Sequence, residues 1–155
     1  MAGTDDPWHH VIERWRRGKL AIRPGASAAA ITEFESTWSV VLPRDVREYF
    51  ATVDGMKNGV MDDDGFRFWP LAEVEPVHEE LTSIHPDRQA YPDCFLLADY
   101  MIWCWGYAVR LTGDRDQPAP VFLVTGGQPH GGEVAPSFRD FLVRYADDPG
   151  SVIRA

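Results

Sequence analysis

Cysteine is scarce in this chain: two in 155 residues, and not spaced as a CxxC pair. Cys94 and Cys104 both fall in apolar, strand-like runs, where a free thiol behaves as a small buried hydrophobe. Neither a disulfide framework nor a thiolate metal site is expected, and a cytoplasmic location fits best. No run of about 18 apolar residues occurs, so no membrane span is expected. The opening MAGTDDPWHH is acidic and lacks a basic region followed by an apolar run, so it does not read as an export signal. Basic residues are also in deficit: 15 Lys and Arg stand against 24 Asp and Glu, a formal net charge of −9. Such a field repels phosphate backbones and anionic lipid surfaces, which argues against nucleic acid and membranes and favours a basic protein partner. An acidic balance also serves simply to keep a domain dispersed.

The usual signatures of catalysis and metal binding are missing as well. His78 is followed by Glu79, but the next histidine, His85, is two helical turns or about 10.5 Å further on, too far to share one ion. The HExxH spacing is therefore absent. His9 and His10 are neighbours, which point about 100° apart on a helix. Asp62, Asp63 and Asp64 form an acidic loop, yet no glutamate follows Gly65 at the EF-hand distance, and the stretch from Asp54 lacks the acidic third and closing ligands. The loop GGQPHGGE has neither a GK[ST] ending nor GxGxxG spacing, and Glu133 would oppose an anion. Ser27, Ser83 and Ser137 lie outside any GxSxG context, and Cys104 with His130 is a pairing that any fold could produce by chance. No catalytic residue, metal site or cofactor is predicted. An enzyme would need a cleft of convergent polar groups, which the sequence does not show.

What is present is enough for a core. With 45% hydrophobic residues, residues 1–155 read as one domain that buries about two thirds of the surface exposed by the unfolded chain. Trp8, Val11, Ile12 and Trp15 recur at helical spacing and predict a first helix ending near Gly18. After a Pro24-Gly25 turn, Ser27 is the expected N-cap of a second helix with Ile31, Phe34 and Trp38 on its apolar stripe. Pro43 suits the first turn of a third helix carrying Val46, Tyr49, Phe50 and Val53. Three helices thus precede any strong strand signal.

At Asp54 the pattern changes. DGMKNGVMDDDG reads as a long turn leading into the strand FRFW, which Pro70 ends or edges. A short helix is expected over 77–84, because Pro76 forbids a longer one. CFLLADY and MIWCWGYAVRL follow as strands, the second with Trp103, Trp105, Tyr107, Val109 and Leu111 on one face and apolar residues on the other, as in a central strand covered on both sides. APVFLVT is a further strand, and residues 133–135 form a short last one. Pro136 or Ser137 opens the final helix, with Ser137 and Asp140 spaced as a capping box over a stripe of Phe138, Phe141, Leu142 and Tyr145. Helices, a largely antiparallel sheet of about five or six strands, and a closing helix make an α+β fold. Phe34, Trp38, Tyr49, Phe50, Trp103 and Phe141 are expected to share its core.

For function, the residues single out Asp62, Asp63 and Asp64, a glycine-flanked acidic loop directly ahead of Phe66, Phe68 and Trp69. A charged rim beside aromatic anchors is the make-up of a protein interface, with Trp69 or Trp105 as the anchor at a sheet edge.

The order of LPRDVREYFATVDG, FRFWPL, ADYMIWCWGYAVRL and SFRDFLVRY resembles the SUKH superfamily, which takes in fungal Smi/Knr-type cell-wall regulators and many bacterial immunity proteins. The resemblance runs from Ile31 to Tyr145 and includes the ITEFEST helix carrying Glu35, then Leu42 and Pro43, and the terminal SFRDFL. Where the family pattern has an asparagine-glycine turn, this chain has Asp54-Gly55, with Asn58-Gly59 slightly downstream. The resemblance implies a non-enzymatic protein-binding domain: an immunity protein that neutralises a toxin, commonly a nuclease, or alternatively an intracellular regulatory or scaffolding protein. Family members share a scaffold rather than an active site, so the partner stays open.

Overall fold

The computed structural model describes residues 7–57, 59–77, 93–111, 113–124 and 132–153. The helix expected over 77–84 and the glycine-rich loop after residue 124 lie almost wholly outside them, as do His78, Glu79, Ser83, His85 and His130. Helix α1 (Pro7–Arg17) buries Trp8, Val11, Ile12 and Trp15, the stripe that its spacing predicts. Helix α2 (Ala28–Trp38) starts at Ser27, whose hydroxyl accepts the Ala30 N–H at 3.1 Å, and ends on Ser39 in the left-handed conformation. Helix α3 (Arg44–Thr52) buries Val46, Tyr49 and Phe50. Pro43 stands one residue earlier than expected, as its N-cap. The junction between α2 and α3 is tied by Glu35, whose carboxylate accepts the Leu42 N–H at 2.8 Å and is approached by Arg47 and Arg115, each at 3.4 Å.

Two short strands, β1 (Ile22–Pro24) and β2 (Val53–Met56), pair antiparallel beside the helices. Neither is expected from the sequence: proline and glycine mask the first, and the second continues the apolar pattern of α3 without a break. The main sheet holds β3 (Phe66–Phe68), β4 (Glu75–Pro76), β5 (Cys94–Tyr100), β6 (Trp105–Arg110), β7 (Val121–Val124) and β8 (Glu133–Ala135). Its order is β3-β5-β6-β7-β8, with β4 also paired to β5, and every pairing is antiparallel. Helix α4 (Phe138–Asp147) closes the chain's last helical segment before a 3₁₀ turn at Pro149–Val152. Its N-cap Ser137 accepts the Asp140 N–H at 3.0 Å. Among the described residues, four α-helices and a six-stranded antiparallel sheet make the fold α+β.

Ring contacts show which sheet face the helices cover. Trp15 of α1 meets Phe68 at 5.3 Å, Phe141 of α4 meets Phe68 and Tyr107, and Phe34 of α2 meets Phe95. Phe95 pairs with Val109 and Ala98 with Tyr107, so both lie on this face although they are three residues apart. An irregularity between Leu96 and Ala98 makes that possible, since an inserted residue reverses the alternation. Strand β6 runs between β5 and β7 and buries Gly106, Tyr107, Ala108 and Val109 in succession, as a central strand covered on both sides should.

Four expectations need correction. The strand expected from Met101 begins only at Trp105, because residues 101–104 form a turn. Trp103 therefore leaves the strand and, like Trp38, is only half-buried against the core that Phe34, Tyr49, Phe50 and Phe141 share. Both cysteines are free thiols, but Cys104 sits in that turn and is exposed, while Cys94 is buried. Among the described residues, no helix is long and apolar enough to cross a membrane.

Candidate protein-interaction surface

The three aspartates stand in one loop, and the fold uses each differently. Asp62 is buried, at 8% exposure. One of its carboxylate oxygens accepts the backbone N–H groups of Asp64 and Phe66, both at 2.9 Å, and the other accepts the Tyr145 hydroxyl. Tyr145 in turn accepts the Trp15 indole N–H at 2.9 Å. A single carboxylate thus links the loop to α4 and, through the phenol, to α1. Burial pushes the Tyr145 phenol far up, and the Asp62 charge beside it adds to the shift, so it stays a donor at any ordinary pH. Asp64 is half-exposed and forms an ion pair with Arg14 of α1 at 2.7 Å. Only Asp63 is exposed with no such fixed role in the loop. The cleft of about 250 Å³ between this loop and the end of α1 is lined by Arg14 and Arg17 as well as by the three aspartates, so its charge is mixed.

The two candidate tryptophans part company as well. Trp69 is 3% exposed. Its indole N–H donates to Asp99 at 2.7 Å, the Arg67 guanidinium lies 5.2 Å from its ring centre, and Trp103 meets it edge-on at 5.9 Å. Arg67 also donates to Asp99 at 3.2 Å, which supplies the buried carboxylate with a second donor. Trp105 is half-buried, stacks on Tyr100 at 4.7 Å and donates to the Tyr107 hydroxyl at 3.0 Å. It is the tryptophan left at the surface edge.

Beside the acidic loop lies a feature that periodicity does not reveal. Met101, Ile102 and Trp103 are consecutive residues with φ of 50°, 49° and 67°. This left-handed region is unfavourable for any residue with a Cβ and worst for a β-branched one. Bonds at both ends hold the turn: the Met101 N–H donates to the Gly65 carbonyl at 2.8 Å, and the Cys104 N–H to the Tyr100 carbonyl at 2.9 Å. Two glycines allow the close fit. Gly65 has φ of 93° and a Cβ there would stand 2.5 Å from the Met101 sulfur, while one at Gly106 would stand 2.8 Å from Leu96 and 3.0 Å from the Trp103 ring. The result is an apolar tip. Ile102 is 79% exposed and Met101 50%, and Met61 is exposed in the loop bonded to them. Among the described residues only Val143, on α4, is another large exposed hydrophobe.

The structure therefore brings Asp63, Asp64 and Trp105 to the neighbourhood of this tip and draws Asp62 and Trp69 inside the fold. Met101 and Ile102 are missed by pattern reading, because an apolar run that continues a strand looks like more strand, and Met61 is missed because it stands in a mostly polar turn. No cluster of His, Cys, Asp or Glu suited to a metal ion occurs among the described residues.

Comparison with known proteins gives one match and one blank. No curated protein matches the chain significantly. Residues 25–144, from the turn before α2 into α4, match the SMI1 / KNR4 family (SUKH-1), and with that span covering most of its length the chain belongs to this family.

Proposed function

We propose that this chain is a non-enzymatic protein-binding domain of the cytoplasm, acting as an immunity protein that occludes a basic toxin domain such as a nuclease. The observation that carries the protein-binding reading is the tip: Met101 and Ile102 stand exposed on a turn hydrogen-bonded at both ends, and Met61 is exposed in the loop bonded to that turn. Contiguous exposed apolar surface rimmed by polar residues marks interaction sites. Family membership is compatible with such a role. The immunity reading draws on the net charge of −9, which favours encounter with a cationic surface.

A second reading is a regulatory or scaffolding domain with an endogenous partner. The Arg14–Asp64 pair favours it, because local charge at the tip is partly compensated and leaves less to steer a fast, tight encounter. One experiment tests the binding reading and separates the two. The wild-type chain and a Met101→Asp/Ile102→Asp variant are immobilised in parallel, and proteins retained from the source organism are identified and assayed for toxicity on expression. A toxin retained by the wild type alone supports immunity, and a housekeeping protein supports regulation. Equal retention by both forms removes the tip from the interface.

A further inference from the structure

The backbone at the tip shows what kind of contact it makes. Positive φ occurs among the described residues at five glycines, Gly55, Gly59, Gly65, Gly113 and Gly132, and singly at Lys19, Ser39 and Asp93, all polar residues. Residues 101–103 differ in being three in succession and apolar, methionine, isoleucine and tryptophan, each held there at a cost in folding free energy. Met101 and Trp103 recover part of that cost by packing on Gly65 and Gly106. Ile102 recovers little, because it is the most exposed large hydrophobe described. Strain that folding does not use is a mark of a functional position.

We infer that Ile102 is a preformed knob that enters an apolar socket, about one isoleucine deep and rimmed by lysine or arginine, on a partner protein. The inference rests on the binding reading above and specifies its contact. A rigid anchor loses little conformational freedom on binding, which is where preorganisation adds affinity. The basic rim follows from Asp63, which stands exposed in the loop bonded to the turn, and from the net charge of −9, Asp64 being already paired with Arg14. The same charges argue against a second copy of this chain as the occupant, since two chains of −9 meeting tip to tip would bring the Asp63 carboxylates together.

Ile102→Asn separates knob from scaffold, because asparagine tolerates the left-handed region while offering no apolar side chain. The probe is the protein retained by the wild-type chain, purified after identification, with affinity read by surface-immobilised binding and stability by thermal unfolding. The expected result is a midpoint unchanged or raised by about 2 °C, together with affinity weakened by about tenfold or more, mainly through faster dissociation. Ile102→Val should keep affinity within about threefold. Asp63→Asn should mainly slow association and flatten its salt dependence. If Ile102→Asn binds as well as wild type while Met61→Asp or Met101→Asp does not, the knob is wrong and the tip reading survives. If none of the tip variants alters binding, or if the wild type retains nothing beyond an Ile102→Asp control, both fail. Sedimentation showing self-association that Ile102→Asp abolishes would make a second copy the occupant and overturn the heterologous partner.

Discussion

Replacing Asp62 with alanine should destabilise the fold more than any other change in the acidic loop. Two of its hydrogen bonds, from the Phe66 N–H at 2.9 Å and from the Tyr145 hydroxyl, are buried. A third, from the Asp64 N–H at 2.9 Å, is partly buried. Bonds to an ionised acceptor contribute about 1.5–3 kcal/mol each. The two buried ones together give about 3–6 kcal/mol, and the third adds about 1 kcal/mol. Removing the carboxylate also removes its desolvation cost, which offsets part of this, so Asp62→Ala should cost about 3–5 kcal/mol. Asp63→Ala should stay within about 0.5 kcal/mol, as for an exposed residue without a structural partner. Asp64→Ala should cost at most about 1 kcal/mol, since the Arg14 pair is partly solvent-screened. Urea unfolding followed by circular dichroism measures all three. Tyr145→Phe combined with Asp62→Ala should show a coupling of about 1–3 kcal/mol in a double-mutant cycle. A loss below about 1 kcal/mol for Asp62→Ala, or additivity with Tyr145→Phe, would refute the staple. A charge test of the loop therefore uses Asp63→Asn alone, because substituting all three residues would confound steering with unfolding.

Trp69→Ala should act on stability, costing about 3–5 kcal/mol by denaturant unfolding, because it opens a cavity and strips Asp99 of a donor; Trp105→Ala, from a half-buried site, should cost less than half as much. An aromatic disulfide reagent should label Cys104 in the native protein and reach Cys94 only after unfolding, since burial both shields the Cys94 thiol and raises its pKa. Burial also raises the carboxyl groups of Asp45 and Asp54 above their ordinary 3.8, against the pull of the N–H donors of Arg139, Val46 and Leu71. The folded state holds these protons more tightly, so each group contributes stability that is present below 3.8 and lost as pH rises through the raised folded value. Asp54→Asn keeps an acceptor for the Leu71 N–H, and the wild type's stability relative to this variant should fall as pH rises from 3.8 through the raised folded value; a flat difference would refute the assignment.

Helices were the most legible part of the fold, because Trp8, Val11, Ile12 and Trp15, or Phe138, Phe141, Leu142 and Tyr145, repeat at a period that no strand shares. Ser27 and Ser137 marked helix starts through local chemistry that needs no tertiary partner. The alternation of Trp105, Tyr107 and Val109 was equally plain, but it runs back without interruption through Trp103, and nothing in MIWC announces a left-handed turn when no glycine is present. The division of labour within the loop was harder still. Asp62 owes its burial to Tyr145, 83 residues away. One local signal was available, since an aspartate whose side chain caps N–H groups two and four residues on is an Asx-type turn former. Trp69 looked like an edge residue because Pro70 follows it, yet its partner Asp99 comes from a neighbouring strand that only the sheet register brings close.

The family match begins at residue 25 and ends at 144, whereas the physical unit is wider. Trp15, on the unmatched side of that first boundary, sits fully buried against Phe68 and donates to Tyr145, itself one residue past the second. Beyond Tyr145, the Val152 carbonyl receives the Tyr107 hydroxyl at 2.6 Å. A fragment cut at the family limits would strip Phe68 of Trp15 and Tyr145, Phe66 of Tyr145 and the Tyr107 hydroxyl of its acceptor, leaving Phe141 as the helix ring still against Phe68 and Tyr107. The two ends of the chain thus act as the lid of the core, and α1 is as much part of the cooperative unit as any matched element. A recombinant version meant for binding studies has to carry α1 and the 3₁₀ turn as well as the matched span, or it would present to solvent apolar surface that these segments cover.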